Sequence, residues 1–228
     1  MTSNSSSDEL FRDQGFRYRI ARDEHGEAMA RLLGAAFAHE PMAHAIGLHA
    51  DDVYPLASRF IPECTANGLS VIAVPEEAPD LLAGVFINRD FKAPLPAGIP
   101  DHFPRFGPIF QALESVDALY EAQVPGLQVG QACDLWMVAV DPDGRFSRRG
   151  IARNLFRASV EVIRDRSFER CVTECTGAYS QRSAIATGFT ERASIVYKDF
   201  IFDGRPIFAS IPEPHRRLVL YERVLRTS

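Results

Sequence analysis

The segment from residue 133 to residue 165 constrains the fold more than any other part of the chain. Residues 133–140 are strongly apolar and predict a buried strand, which the turn signal Asp141-Pro-Asp-Gly144 ends. A basic stretch follows, and residues 150–165 then predict an amphipathic helix. Its apolar stripe consists of Ile151, Leu155, Ala158 and Val162. A one-sided helix directly after a buried strand has to pack back onto a sheet, so this segment predicts a layered structure of sheet and helices.

The patterns elsewhere supply more strands and helices for such a sheet. Strands are predicted near residues 16–20, 69–74, 81–87, 170–175, 194–202 and 218–224. Helices are predicted near residues 23–37, 42–48, 51–67, 110–122 and 179–186. We therefore expect an α/β (α+β) fold with a mixed, mostly antiparallel central sheet flanked by helices.

The chain reads as one domain with an insertion and a short tail. Residues 1–14 begin with a Ser-rich polar stretch and are expected to be a disordered N-terminal tail, which leaves residues 15–228 as a single domain. An insertion is expected at about residues 92–130. Its first part, residues 92–108, contains five prolines and predicts an irregular loop, the kind of segment that often selects a substrate.

Charge and composition exclude several classes of function. The net charge is −5 and both signs are mixed along the chain, so no basic footprint for a nucleic acid is present. No apolar run approaches the roughly 20 residues that span a bilayer. Four cysteines without a CxxC pair predict buried free thiols in a reducing cytoplasm, and the six histidines show no metal-binding spacing. We expect a cytoplasmic protein without a metal, a nucleic-acid partner or a membrane partner.

The start of the helix at residue 150 is a candidate anion site. A helix N-terminus exposes unpaired N–H groups and carries a partial positive charge. Gly150 and Ala152 let a ligand approach the backbone closely, and Arg148 and Arg149 add full charges. These features suit a pyrophosphate. The stretch is neither a GxxxxGK[ST] loop nor a GxGxxG loop, and the plain alternative is an ordinary helix start after a turn.

Residues Ser147-Arg-Arg-Gly-Ile-Ala152 resemble the Q/R-x-x-G-x-G/A motif of the GNAT superfamily of N-acetyltransferases, with Ser147 replacing the usual first residue. Gly188-Phe189 is similar to the closing "GF" of that family. The resemblance implies a GNAT-like fold and acetyl-CoA as the co-substrate. It implies cofactor contacts at Met137, Val138, Val140, Arg148, Arg149, Gly150, Ile151, Ala152 and Arg153. It also implies that a backbone N–H near Val138 stabilises the thioester oxygen as the amine adds.

A second stretch, Phe37-Ala-His-Glu-Pro-Met42, resembles the segment F-x-x-[DE]-E-P-L of arylalkylamine N-acetyltransferases of the insect dopamine type. The tail from Tyr197 through His215 is also similar to that group. In that group the Glu before Pro is the general base, which implies this role for Glu40. The plain alternative for Glu40 is a carboxylate at a helix terminus before a proline.

Acyl transfer to an amine makes two further chemical demands. An aliphatic amine titrates near pKa ~10, so it needs a base before it attacks, and Asp134 is a second candidate besides Glu40. The plain alternative for Asp134 is a solvated carboxylate at a strand edge. The leaving thiolate needs a proton, and the Tyr that many GNAT enzymes use is absent. Ser180 and Ser183 are the candidate donors, with Tyr179 as a third; Ser180 is alternatively the N-cap of its helix.

The sequence therefore predicts an acetyl-CoA-dependent N-acetyltransferase that acts on a primary amine of a small molecule. Two alternatives stay open: a non-catalytic acyl-CoA-binding sensor on the same fold, and an acetyltransferase for a protein or peptide amine. The chain is expected to be a monomer or a homodimer. Residues 218–224, taken as an exposed last strand, would offer an edge for pairing between subunits.

Overall fold

One eight-stranded sheet organises the computed structural model, which describes residues 8–225. The strands are β1 (Glu9–Asp13), β2 (Phe16–Ile20), β3 (Val71–Pro75), β4 (Gly84–Asp90), β5 (Ala132–Val140), β6 (Arg170–Cys175), β7 (Thr190–Val196) and β8 (Arg217–Val224). Their spatial order is β1-β2-β3-β4-β5-β6-β8-β7, and every neighbouring pair is antiparallel except β5 and β6. The mixed, mostly antiparallel sheet that the sequence predicts is confirmed.

Helices cover both faces of this sheet. They are α1 (Gly26–Phe37), α2 (Pro41–Ala45), α3 (Ala50–Ala66), α4 (Ile99–His102), α5 (Gly107–Glu121), α6 (Ile151–Asp165) and α7 (Ala178–Ala186). Helix α6 packs on one face against β2 to β5, while α1 and α3 pack on the other face against β4 and α1 also against β5. Helix α5 lies against β7 and β8. Among the described helices, none combines the length and apolar character needed to cross a membrane.

The parallel pair β5 and β6 separates in the middle of the sheet. Their last paired residues are Asp134 and Val172, although β5 continues to Val140 and β6 to Cys175. The Thr173 hydroxyl donates a hydrogen bond of 2.8 Å to the Leu135 carbonyl oxygen just beyond that pair. The two strands therefore open a gap that runs from about residue 135 to the end of each strand.

On its other side, β5 pairs with β4 through a bulge. Ile87 is opposite Met137 and Asn88 is opposite Leu135, so Trp136 is an extra residue with no partner. The bulge turns Trp136 and Met137 toward the same face, where both pack with the helices α1 and α3. An inserted residue bends a strand and increases its twist, which suits a strand that leaves its neighbour.

Two expectations about the ends of the chain are wrong. Residues 9–13 are not part of a disordered tail, because they form β1 and pair with β2, with the ring of Phe11 stacked on Tyr18 at 4.7 Å. Residues 1–7 of that tail lie outside the described part. Residues 217–224 are not an exposed edge, because β8 pairs with β6 on one side and with β7 on the other. That strand offers no edge for a homodimer.

Residues 92–130, where an insertion is expected, are more ordered than their prolines suggest. Within residues 92–108, expected to be an irregular loop, the short helix α4 forms and a 3-10 turn follows at Pro104–Phe106. The long helix α5 is anchored by the buried carboxylate of Glu222 on β8. Glu222 accepts a hydrogen bond of 2.6 Å from the Tyr120 hydroxyl and pairs with Arg170 at 3.1 Å and with Arg192 at 2.5 Å.

The four cysteines are free and buried, as the sequence predicts. The predicted strand at residues 194–202 is shorter than expected, because β7 ends at Val196 and Tyr197–Asp199 form a 3-10 turn. Tyr197 is buried there and its hydroxyl donates to the Thr176 carbonyl oxygen. A buried hydroxyl needs such a partner, and this bond draws the chain out of the sheet.

Close packing of α6 on β4 depends on Gly84. A Cβ at this position would lie 2.9 Å from Ile151 Cγ2 and 2.9 Å from Leu155 Cδ1, well inside contact distance. We expect Gly84→Ala to lower the free energy of unfolding by about 1–3 kcal/mol, because the core has to shift to admit a methyl group. Urea denaturation followed by far-UV circular dichroism measures this change.

Gly107→Ala is the matched control. A Cβ at Gly107 would meet Phe202 at an ordinary distance of 3.6 Å. The substitution at Gly107 should therefore leave the midpoint almost unchanged. Equal midpoints for the two variants would contradict the packing argument.

Candidate active site

A cavity of about 330 Å³ lies at the gap between β5 and β6. Side chains from both faces of the sheet line it. Phe86, Phe156 and Cys175 belong to the core on the α6 side, whereas Phe106 and Met137 belong to the core on the α1 and α3 side. The cavity therefore passes through the sheet and connects its two faces.

Glu40 lies in the wall of this cavity and also caps α2. One carboxylate oxygen accepts a hydrogen bond of 3.1 Å from the Met42 N–H and the other accepts one of 2.7 Å from the Ala43 N–H. Burial raises the pKa of Glu40, while hydrogen bonds from Thr176 and the two backbone N–H groups act in the opposite direction. A carboxylate with a raised pKa in a cavity can accept a proton, so the helix-terminus role and the base role are compatible at this residue.

Asp134 does not lie in the cavity wall. It is 3% exposed, so the interpretation as a solvated carboxylate at a strand edge is wrong. Its neighbour Glu174 on β6 does line the cavity, and Asp134 and Asp117 of α5 interact with Glu174. Alternation along β5 turns Asp134 toward α5, which the strand pattern alone could not indicate without knowing which helix covers that face.

The three carboxylates of Asp117, Asp134 and Glu174 form a buried acidic cluster. Burial and the neighbouring negative charges raise the pKa of Asp117 to about 7 and that of Glu174 well above its usual range. Burial also raises the pKa of Asp134 to about 6, although Arg89, 4.0 Å away, opposes the rise. Within residues 8–225, no group of His, Cys, Asp and Glu side chains is arranged to hold a metal ion.

The two predicted serines have different surroundings. Ser180 lines the cavity and its hydroxyl donates 2.9 Å to the Gly177 carbonyl oxygen. Gly177 is the N-cap of α7, so the interpretation of Ser180 as the cap is wrong. Ser183 donates to the Tyr179 carbonyl oxygen at 3.2 Å and is not among the lining residues. Tyr179, the third hydroxyl, lines the mouth of the cavity and is 64% exposed.

His215 is a cavity residue that sequence reasoning missed as a functional group. Its Nδ1 accepts a hydrogen bond of 3.1 Å from the Ala178 N–H at the start of α7, and its ring packs edge-on against Tyr179. An Nδ1 that accepts leaves the ring proton on Nε2, which makes Nε2 a hydrogen-bond donor. The sequence around His215 gives no pattern that marks it as functional. Its partner Ala178 lies 37 residues earlier in the chain, so only the folded structure brings the two together.

The start of α6 has the features of an anion site. Gly150 is its N-cap with a left-handed φ of 70°, no side chain caps this end, and the first turn carries no acidic residue. The N–H groups of residues 151–153 therefore point outward without helical partners. Arg148 and Arg153 are exposed there.

Two residues of the predicted site are engaged in other contacts. The side chain of Ile151 is buried in the core beneath β4, so only its backbone faces outward. The Arg149 guanidinium donates to the Gln14 carbonyl oxygen at 2.5 Å and lies 4.5 Å from the ring centre of Phe16. Arg149 therefore ties the basic loop to the turn between β1 and β2.

The three β5 residues of the predicted cofactor site line the cavity. Met137, Val138 and Val140 all lie beyond the last residue that pairs with β6. The edge of β5 that faces β6 therefore borders the gap along these residues. Phe156 of α6 lines the same end, so this part of the cavity lies close to α6.

Solved structures of similar shape are known. An arylalkylamine N-acetyltransferase 2 from Aedes aegypti is 21% identical, with a TM-score of 0.77, over 93% of this chain and 100% of that one. A Drosophila melanogaster polyamine N-acetyltransferase, described as forming N-acetylagmatine, is 17% identical, with a TM-score of 0.71, over 92% and 100%. The Salmonella typhimurium YncA, described as a putative acetyltransferase with acetyl-CoA, is 14% identical, with a TM-score of 0.51, over 94% and 96%.

These likenesses establish the fold. The chain has the GNAT fold, as its motif at residues 147–152 implies. No protein-family model matches the sequence, and no curated protein matches it either.

The acidic cluster predicts an unusual pH dependence of stability. Its carboxyl pKa values are higher in the folded protein than in the unfolded chain, so between about pH 4 and 7 the folded state binds more protons. Stability should therefore rise as pH falls from about 8 to 6, by about 1 kcal/mol or more. Urea denaturation at a series of pH values measures this slope.

Asp117→Asn removes one of these groups and should flatten the slope. Glu114→Gln, on the exposed side of the same helix, should retain it. A stability that rises with pH over this range in the wild type, or equal slopes in the wild type and Asp117→Asn, would contradict the raised pKa values.

Proposed function

We propose that this GNAT-fold protein transfers an acetyl group from acetyl-CoA to a primary amine of a small molecule. The observation that carries the proposal is the cavity at the gap between β5 and β6. It has the α6 side of the sheet at one end and the half-buried carboxylate of Glu40 in its wall. Such a passage brings a thioester from one face together with an amine from the other.

The start of α6 suits the phosphates of the cofactor. The outward N–H groups of residues 151–153 and the helix dipole favour a pyrophosphate, and exposed Arg148 and Arg153 add positive charge. The left-handed backbone at Gly150 leaves room for close approach, because no Cβ is present. Arg149 contributes by fixing the loop through Gln14 rather than by facing the ligand.

The gap between the strands suits the acyl arm. Beyond Asp134 the β6 side of β5 has no strand partner, so its backbone groups along Met137–Val140 are free to bind an amide or thioester. A backbone N–H near Val138 would stabilise the oxygen that becomes negative when the amine adds. Apolar lining residues exclude water from the thioester.

Glu40 acts as the general base in this proposal. The ammonium form of the acceptor loses a proton to Glu40, directly or through a water molecule. The free amine then attacks the acetyl carbon, and the bond to sulfur breaks as the tetrahedral adduct collapses. The adduct nitrogen gives up its second proton as the C–S bond breaks, and a donor beside the sulfur delivers a proton to the CoA thiolate, so that the products are the N-acetyl amine and the CoA thiol.

The thiolate needs a proton donor close to the gap. Ser180 and His215 both line the cavity, and Nε2 of His215 carries the donor proton when Nδ1 accepts from Ala178. Tyr179 lies at the mouth beside His215. Ser183 lies outside the cavity lining and is the weaker candidate.

Known proteins of the same shape support this reaction. The similar structures include N-acetyltransferases that act on arylalkylamines and on polyamines, and one that contains acetyl-CoA. Their acceptors differ from one another, so they support an amine acceptor in general. The residues that line the cavity of this chain would determine which amine acceptor it binds.

Acetyl-CoA should stabilise the folded protein. A ligand at about 100 times its Kd adds about 2.7 kcal/mol to the free energy of unfolding, which is an increase of several degrees in Tm. Gly150→Glu puts a negative charge where the pyrophosphate is expected and should abolish this increase. Differential scanning fluorimetry with and without acetyl-CoA measures both effects.

Gly126→Glu is the control for backbone strain. Gly126 also has a left-handed φ, of 79°, and open space around it, but it lies in the loop after α5. This variant should respond to acetyl-CoA as the wild type does. An absence of any shift in the wild type at millimolar acetyl-CoA would overturn the proposed cofactor.

Glu40→Gln keeps the shape and one hydrogen-bond acceptor but removes the base. We expect kcat to fall by about 10²–10⁴-fold, with little change in acetyl-CoA binding, because Glu40 is not part of the proposed phosphate site at the start of α6. The wild-type rate should rise with pH along an ionisation that the variant lacks. Release of CoA, followed with a thiol reagent in the presence of a panel of amines, measures the rates.

Glu77→Gln removes an exposed carboxylate elsewhere and should leave kcat unchanged. If Glu40→Gln keeps wild-type turnover and the same pH profile, Glu40 acts only as the cap of α2. If no amine releases CoA from the wild type although acetyl-CoA binds, the protein is a sensor for acyl-CoA and not an enzyme.

A further inference from the structure

The acidic cluster of Asp117, Asp134 and Glu174 lies at the α5 side of the cavity. Glu174 forms part of the cavity wall, and it interacts with Asp134 from β5 and with Asp117 from α5. Leu113, one helical turn before Asp117, also lines the cavity. The cluster is thus continuous with the cavity.

The cluster has too little positive charge around it. Arg89 is the cation of the described residues that acts on these carboxylates, and its Nη1 is 4.0 Å from Asp134 Oδ2. The same guanidinium also donates to the Ala93 carbonyl oxygen and lies 5.5 Å from the ring centre of Trp136. With all three carboxyl groups ionised, one shared guanidinium would leave an excess of negative charge at this place.

Unsatisfied atoms in the cluster point to a missing partner. Asp117 Oδ1, Asp134 Oδ1 and Glu174 Oε1 are buried and have no hydrogen-bond partner, and the Asp134 residue is 3% exposed. Buried carboxylate oxygens without donors are costly, so a ligand that donates hydrogen bonds and carries positive charge would complete them.

The contrast with Glu222 shows what a complete site looks like in this protein. The Glu222 carboxylate is equally buried, but Arg170, Arg192 and the Tyr120 hydroxyl satisfy it. The acidic cluster lies on the same face of the sheet, under the same helix α5. Its carboxyl groups interact with one another, but each keeps one buried oxygen without a hydrogen-bond partner.

The geometry points to a second cation-binding subsite in the acceptor cavity. Glu174, the member of the cluster that lines the cavity, binds the distal ammonium or guanidinium group of a linear dicationic amine, and Asp134 and Asp117 behind it add negative charge. The other amino group of that acceptor is presented on the Glu40 side of the cavity for acetylation. This inference rests on the proposed acetyl transfer and names its substrate class.

The apolar wall between the two ends suits the middle of such a molecule. Leu113, Phe110 and Met137 are apolar residues that line the same cavity as Glu40 and Glu174. An alkyl chain buries its CH₂ groups against these residues, which favours binding. A monoamine of the same length would leave the cluster without its cation.

Protons take the place of the cation when no acceptor is bound. Burial raises the pKa of all three carboxyl groups, and neighbouring negative charges raise those of Asp117 and Glu174 further. The cluster therefore holds protons near pH 7. Glu121 and Arg89 also act on the pKa of Asp117. A bound cation lowers these pKa values and displaces protons. Binding should therefore release protons and strengthen as pH rises from about 6 to 8.

Matched acceptors test the subsite in turnover. We compare n-alkylamines with α,ω-diaminoalkanes of the same chain length, about four to six carbons, at constant ionic strength and about pH 8. The wild type should favour the diamine by about tenfold or more in kcat/KM at the best length. Asp117→Asn should lower this preference by about fivefold or more, whereas Glu114→Gln, an equal loss of charge on the exposed side of α5, should preserve it.

Calorimetry tests the subsite without turnover. Titration of the diamine into protein saturated with CoA, in two buffers of different ionisation enthalpy, should reveal proton release near pH 7 in the wild type and less of it in Asp117→Asn. Equal kcat/KM for both acceptors together with binding that releases no protons would overturn the inference.

The two proposals fail in different ways. Turnover of monoamines and diamines at equal rates, without proton release, leaves the acetyl transfer intact and removes the subsite. Diamine binding with proton release, but without CoA release from acetyl-CoA, removes the acetyl transfer and retains the subsite.

Discussion

The end of hydrogen bonding between β5 and β6 is the constraint on which the rest of the site depends. The two strands pair only from Ala132 to Asp134 on β5 and then diverge, while the bulge at Trp136 bends β5 away. A continuous sheet would separate its two faces completely. The gap instead places a cavity through the centre of the sheet, and it frees backbone groups of β5 for a ligand. Residues from both faces of the sheet line one cavity because the hydrogen bonds between β5 and β6 end at this point.

Glu222 and the acidic cluster both lie under α5, but their carboxyl groups differ in their hydrogen-bond partners. Glu222 is satisfied by two arginines and a tyrosine, so its charge helps to hold α5 against β8. Asp134 and Glu174 lie in the same layer but share one distant arginine. Both oxygens of Glu222 have a partner, whereas Asp134 and Glu174 each keep one buried oxygen without a hydrogen-bond partner. Partners, rather than exposure, distinguish a structural carboxylate from one that is available for binding.

Many of the strands and helices could be predicted because the spacing of apolar residues along the chain is typical of each type of element. The bounds of β6 agree with the prediction, and those of β5 and α6 agree within one residue, because their apolar patterns are long and turn signals or glycines bound them. The ends were harder. Residues 9–13 look polar, yet they form β1 because Leu10 and Phe11 pack on a core made of distant strands. The position of β8 inside the sheet likewise depends on β7 folding back beside it, which no local pattern specifies.

The sequence by itself determined the strand, basic loop and helix of residues 132–165 and the glycine at the start of α6, because these depend on contacts between near neighbours. It also placed Glu40 before Pro41, where the extended backbone makes it the cap of α2. Only the tertiary structure decided that Glu40, Ser180 and His215 share one cavity and that Asp134 turns away from it toward Glu174 and Asp117. These residues are far apart in the chain, and their meeting is fixed by where β5 and β6 separate and by which helix covers each face.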